Sequence, residues 1–344
     1  MLKIAISTPP QAGDRWTLMK QVGVECAVGG IRLRPIDGAE PEDQPWSLPS
    51  LKKAKDAYEA GGIPVKVIES RPPMEKIKLG LDGRDEEIEV VCELLRNMGK
   101  VGIPTWCYAW MPILGVIRTS RSISSRGGAH VSGFDLAQMP DRENLAEGTI
   151  RNIDGTPVGE QASSDVEVTD EQQWACLKYF LERVVPVAEE AGVNLAMHPD
   201  DPPLSPIRGI SRIMSSVDNY QKLVDLVPSP ANGICICQGN FTLMTDDLPS
   251  VIRNFGEQKK IHFLHIRDVQ GTPEKFEEAF HDDGKTNLVE CFRAYRDVGC
   301  QAVLRPDHYP KMGGDSYDDE AGVARLFAVG YLKGIRETVY SETA

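Results

Sequence analysis

Short apolar runs alternate with longer amphipathic stretches along the chain. Strands are expected at residues 3–7, 24–28, 64–69, 103–107, 194–198, 233–237, 261–266 and 302–305. Several of these runs are β-rich and apolar on both faces, the pattern of a parallel sheet buried on both sides. Helical patterns lie between them at 15–22, 50–60, 86–100, 170–191, 217–226, 248–255, 288–297 and 319–338. Gly follows several of these helices, in AGG, VGI, AGV and VGC, where it acts as a left-handed stop. Eight strand–helix repeats predict an α/β protein built as a (β/α)8 TIM barrel, one domain over residues 1–344.

One stretch breaks the rhythm. Residues 108–168 join the fourth strand to its helix and far exceed an ordinary βα connection. The stretch is rich in Ser, Gly and Arg, as in RTSRSISSRGGAH at 118–130. It reads either as a floppy surface insertion or as a lid or oligomerisation arm, because long βα loops of a barrel lie on its catalytic face.

The chemistry concentrates at predicted strand ends. His198 ends LAMH, Cys237 ends GICIC, His265 sits late in IHFLHIRD, and Asp307 and His308 follow AVLRP. The C-terminal ends of barrel strands open into one mouth, so His198, Cys237, His265 and Asp307 are expected to meet. Two imidazoles, a thiolate and a carboxylate form a donor set for a divalent transition metal, whether Zn, Mn, Fe or Co. In HPDDPP (198–203), Asp200 or Asp201 either orients a ligand imidazole or forms a rigid acidic turn. Arg208 either faces the mouth or is solvated.

If the last strand runs on through RPDH (305–308), Asp307 and His308 point in opposite directions. Asp307 would then bind metal while His308 turns to substrate, as general acid or base, or leaves the site as a buried donor, unless the loop bends. In FHDDGK (280–285), His281 and two Asp either close over a sugar or cap the next helix. His130 and His262 default to structural roles, and the aromatic and Met positions at 106–111 to core and lid packing. There is no Gly-x-Gly-x-x-Gly after a strand, no P-loop and no Gly-x-Ser-x-Gly elbow, so dinucleotide, nucleoside triphosphate and serine-hydrolase chemistry lack their signals.

Charge narrows the partners. With 38 basic and 51 acidic residues, the net charge is −13. That argues against nucleic acid and anionic membrane, though not against a small anion held by a local cation. No apolar run approaches the roughly 18 residues of a membrane span. The N-terminal apolar stretch is too short for a secretory signal, so a cytoplasmic location is expected. The eight Cys are scattered, which suits buried free thiols with one or two of them as metal ligands.

The motifs HPDDPP, CQG (237–239), HIRDV (265–269), FHDDG (280–284) and RPDH share the order and spacing of the D-mannonate dehydratases. VIESRPPMEKIKLG (67–80) and CYAWMPILGVIRTS (107–120) are similar to that family's strand-three and strand-four segments. The resemblance runs from about residue 15 to about residue 335. It implies a xylose-isomerase-like barrel and a lyase that removes water from a six-carbon sugar acid to give a 2-keto-3-deoxy acid. It implies a divalent metal, first Mn²⁺ and otherwise Fe²⁺, Co²⁺ or Zn²⁺, on His198, Cys237, His265 and Asp307, with His308 as acid or base. It also implies a homo-oligomer.

Several substrate-side positions depart from the family. VGGIRLRP (28–35) has no His where the family carries a His pair, Met74 stands at another family His, Ala109-Trp110 replaces Asn-Phe, and Gly115-Val116 replaces Asp-Trp. Losing such donors alters specificity strongly, because substrate hydroxyls lose their partners. Tyr317, a metal-bound water or a residue of the 108–168 insertion is the expected second acid or base, and Arg118 or Arg208 the expected fork for the substrate carboxylate, with Asp201 and His281 as further contacts. The alternatives are a metal-dependent sugar or sugar-acid isomerase or epimerase on the same barrel, and a sugar-acid-binding barrel without catalysis.

Overall fold

The structure, a computed structural model, describes residues 1–147, 151–152, 168–313 and 322–342. All eight expected runs are parallel strands of one closed barrel. The strands are, in chain order, β1 (Lys3–Thr8), β2 (Cys26–Gly29), β3 (Val65–Ile68) and β4 (Thr105–Ala109), then the insertion strands β5 (Ile117–Arg118), β6 (Ser120–Ser124), β7 (His130–Asp135) and β8 (Arg151–Asn152). There follow β9 (Asn194–His198), β10 (Asn232–Cys237), β11 (Ile261–Ile266), the hairpin β12 (Asp268–Thr272) and β13 (Lys275–Ala279), and β14 (Val303–Pro306). The barrel closes in the order β1-β14-β11-β10-β9-β4-β3-β2.

The outer helices match the amphipathic stretches: α1 (Asp14–Gln21), α2 (Leu48–Ala60), α4 (Arg84–Val101), α5 (Asp170–Ala191), α6 (Val217–Leu226), α8 (Leu248–Glu257), α9 (Leu288–Asp297) and α10 (Gly322–Ser341). Two short helices in βα loops, α3 (Glu75–Leu79) and α7 (Gln238–Met244), carry too few turns to show a period and were not expected from sequence. Local signals set the ends of α5: Thr169 Oγ1 accepts from the Gln172 N–H at 3.2 Å, and Gly192 closes the helix at φ 67°. No described helix is long and apolar enough to cross a membrane.

Alternation along the strands builds the barrel interior in layers. Ala5, Cys26, Val28, Val67, Cys107, Ala196, Cys235 and Phe263 pack into one apolar layer inside the barrel. Side chains two residues further on share the same face. From that layer, the step of two leads to Ser7, Glu69, His198, Cys237, His265 and, above Val303, Arg305. The chain therefore changes from apolar to ionisable in one step towards the C-terminal mouth. Register aligns these residues: Cys237 lies opposite His265, and His265 opposite Arg305.

The described part of the insertion is folded. Strands β6 and β7 join the hairpin β12–β13 in a four-stranded antiparallel sheet, with Phe134 opposite Phe276. This sheet has a small core of its own, including Leu114, Ile117, Phe134, Met139, Ile207, Ile210 and Phe276. Where only a βα loop was expected after β11, the hairpin carries Phe276 into the core of this sheet and, two residues on along the same face, Glu278 to the barrel mouth.

Candidate metal centre

A cavity of about 530 Å³ opens at the C-terminal end of the barrel, lined in part by Glu69, His198, His265, Asp307 and His308. One donor atom each from His198, Cys237 and His265 lie within 4.8 Å of one another. His198 Nε2 is 3.2 Å from His265 Nδ1. His198 Nδ1 donates to the Pro199 carbonyl at 2.7 Å, which fixes the tautomer and leaves Nε2 as the free donor atom towards the mouth. Asp307 stands outside that triple but reaches it, with Oδ2 3.2 Å from His265 Nδ1. The structure thus brings the four expected residues to one place.

Electrostatics prepare the thiol. Burial raises the Cys237 thiol pKa, yet the charge of Arg267 and the His198 and His265 rings beside it outweigh it and hold the group well below the usual thiol range. Arg267 Nε donates to Cys237 Sγ at 3.2 Å. Cys107 and Cys235 also approach His265 from the layer below, but burial pushes the Cys235 thiol well up, so it stays protonated and is a poor ligand. All eight cysteines are free and buried.

His265 sits between two carboxylates. Burial and Arg305 oppose a charge on its ring, but Glu69 and Asp307 prevail and raise its pKa well above the ordinary imidazole value. Its Nε2 is 3.1 Å from Glu69 Oε1. Arg305 bridges the same carboxylates, donating to both Glu69 oxygens at 2.7 and 2.9 Å and to Asp307 Oδ1 at 2.7 Å. An anionic pocket of N, S and O donors, with a proton that a cation would displace, fits a divalent transition metal.

The loop after β14 bends. The strand ends at Pro306 and His308 takes a left-handed φ of 46°, a conformation that costs a non-Gly residue about 1–2 kcal/mol. The opposite orientation expected of Asp307 and His308 is thereby undone, and both line the cavity. His308 Nδ1 lies 2.8 Å from Glu278 Oε1, while Nε2 is 3.6 Å from Asp307 Oδ2. Glu278 arrives from the hairpin that sequence had not shown.

The remaining sequence candidates sit elsewhere. Arg118, an expected carboxylate fork, is fully buried, bidentate to Asp201 at 2.6 and 3.0 Å and paired with Glu278 at 2.5 Å. Asp201 also holds Arg267 at 2.6 Å, so it supports the Cys237 side of the centre from behind rather than lining the cavity. Asp200 accepts from the Met214 N–H at 2.7 Å and lies 3.6 Å from Arg212, a structural position. Arg208 donates to the carbonyls of Met139 and Pro140 at 2.6 and 2.8 Å, tying the insertion down. Tyr317 lies outside the described residues.

His281 lies beneath the loop, its Nε2 donating to the Ile266 carbonyl at 2.9 Å, and in the same loop Asp282 pairs with Arg126 while Asn287 caps α9. Burial lowers the His281 pKa to about 4. The unfolded chain takes up a proton near pH 6.5 that the folded chain refuses, so this neutral His contributes stability above pH 6.5, lost as pH falls towards 4. Urea titrations between pH 7.5 and 4.5 should show a shallower acid loss for His281→Gln than for the parent; identical slopes would contradict the assignment.

Glu69, Arg267, Glu278 and Arg305 were not singled out from sequence. Glu69 had a signal, since Val65, Val67 and Glu69 continue one period-2 face past the end of β3.

The family model described as D-mannonate dehydratase (UxuA) matches residues 13–343. Mannonate dehydratase of Thermotoga neapolitana is 34% identical over 335 residues, covering 92% of this chain and 91% of that protein. Mannonate dehydratase 2 of Halalkalibacterium halodurans is 34% identical over 328 residues, covering 92% and 90%. The crystal structure of mannonate dehydratase from Streptococcus suis superposes with a TM-score of 0.85 at 26% identity, covering 100% of this chain and 96% of that one. An L-ribulose 3-epimerase, at 12% identity and a TM-score of 0.60, shares the xylose-isomerase-like barrel fold alone.

Proposed function

The chain belongs to the D-mannonate dehydratase family, and on that premise we propose that it is a metal-dependent hydro-lyase that converts D-mannonate, or a closely related aldonic acid, to the 2-keto-3-deoxy acid. The observation that carries this reading is the meeting of His198, Cys237 and His265 donor atoms beside Asp307 and His308 in one cavity. In this reading those first three residues and Asp307 hold the ion, Mn²⁺ before Fe²⁺, Co²⁺ or Zn²⁺. A divalent ion held there supplies Lewis-acid stabilisation of the charge that builds next to the carboxylate when the C2 proton leaves. The homo-oligomeric working form rests on family membership.

The chain's own groups handle the protons. Dehydration needs a base to take the C2 proton and an acid to protonate the departing C3 hydroxyl; the enol that forms becomes the 2-keto acid. With Nδ1 turned to Glu278, His308 presents Nε2 to the cavity for one of these roles. Glu278 is itself held by Arg267 and Arg118, whose charges help outweigh burial to keep it ionised. It therefore orients His308 as the carboxylate of a triad orients its imidazole. The second proton-transfer group in this reading is Tyr317 or a residue of the insertion.

Mass spectrometry of D-mannonate incubated with Mn²⁺-loaded protein tests the reading. A product lighter by one water is expected. A product of unchanged mass but altered chromatography would instead select the isomerase or epimerase reading, and bound but unchanged mannonate the non-catalytic one.

A further inference from the structure

A side-chain cation besides the ion would favour an acid in this cavity over a neutral sugar, and both arginines expected there from sequence are committed elsewhere. We propose that Arg71 recognises the carboxylate of the substrate acid. The proposal rests on the hydro-lyase reading and names the residue by which this chain selects an acid over a neutral polyol.

Three observations support it. Arg71 lines the cavity, two residues beyond Glu69, and its side chain is exposed. Of the other arginines lining that cavity, Arg305 is bridged to Glu69 and Asp307, and Arg325 lies over the Tyr309 ring. Arg71 has no hydrogen bond or ion pair to any described residue. Its charge is felt by Glu75, which is already paired with Lys78 at 2.6 Å. A guanidinium with no partner among the described residues, in the mouth of a protein of net charge −13, is a local attractor for a carboxylate, and its fork matches that group in two hydrogen bonds.

The backbone under Arg71 is held in place. The Ser70 hydroxyl donates to the Ile31 carbonyl, and the Ser70 carbonyl accepts from Trp106 Nε1 at 3.0 Å. Pro72 is buried and restricts the residue before it. The backbone under the guanidinium is thus fixed, leaving only the side chain to be ordered on binding.

The test measures binding of D-mannonate and of D-mannitol to Mn²⁺-loaded protein by calorimetry, with turnover followed in parallel. Arg71→Gln should weaken D-mannonate binding about 10- to 100-fold, Arg71→Lys should recover part of it, and selectivity over D-mannitol should shrink. In an active enzyme the loss should fall on KM rather than kcat. D-mannonate bound by Arg71→Gln as tightly as by the parent overturns the proposal, as does an equal loss for D-mannitol. If the parent binds the acid through Arg71 but never dehydrates it, the hydro-lyase reading fails while this proposal stands. If turnover is normal and KM is unmoved in Arg71→Gln, the reverse holds.

Discussion

Replacing Cys237 with Ser is expected to lower affinity for the divalent ion by at least about 10²-fold, with the fold intact. The thiol is fully buried, its Sγ lies among His198, His265 and Arg267, and surrounding charge favours the thiolate. Serine is close in size but stays a neutral alcohol near pH 7, so the site loses an anionic, soft donor and keeps only imidazole and carboxylate. Arg267 would then face a neutral oxygen, which adds to the loss. Metal content after dialysis against a weak chelator reads the effect, and circular dichroism checks the fold. A Cys237→Ser protein that retains a full complement of ion would remove the thiolate from the ligand set.

Replacing His308 with Asn should cut kcat by about 10² or more while the ion stays bound. Asn tolerates the left-handed φ of 46° better than most residues, so the loop bend survives, and its amide can still donate to Glu278. What it lacks is a titratable nitrogen facing the cavity. Glu278→Gln should produce a smaller loss, because it leaves the imidazole in place but loosens its tautomer and disturbs Arg118 and Arg267. Steady-state rates with metal analysis on the same samples separate the two effects. A near-normal kcat for His308→Asn would take proton transfer away from this residue.

The barrel was legible because its strands are apolar on both faces and so carry their signal without knowledge of their neighbours. Asn232–Cys237 is buried at every position, and the helix after the insertion, Asp170–Ala191, begins and ends at its polar cap and Gly stop. The four ligand candidates were legible for a related reason: each ends an apolar run, and the topology of a parallel barrel sends all such ends to one mouth. The residues that hold them were not, because their partners are far along the chain. Arg118 meets Asp201 across 83 positions and Glu278 across 160, and nothing local distinguishes a buried, paired arginine from a solvated one. The same long-range pairing turned the expected substrate fork into part of the scaffold. The bend at His308 was foreseen only as a condition, since the sequence RPDH does not announce a left-handed residue.

The central claim is that one ion, bound where β9, β10, β11 and β14 end, is required for loss of water from a sugar acid. Titrating Mn²⁺ into chelator-stripped protein while following formation of the 2-keto-3-deoxy acid from D-mannonate tests it most directly. The account predicts no product without added ion and a rate that saturates at one ion per chain. Full activity in the stripped protein, or saturating ion with no product, would contradict it.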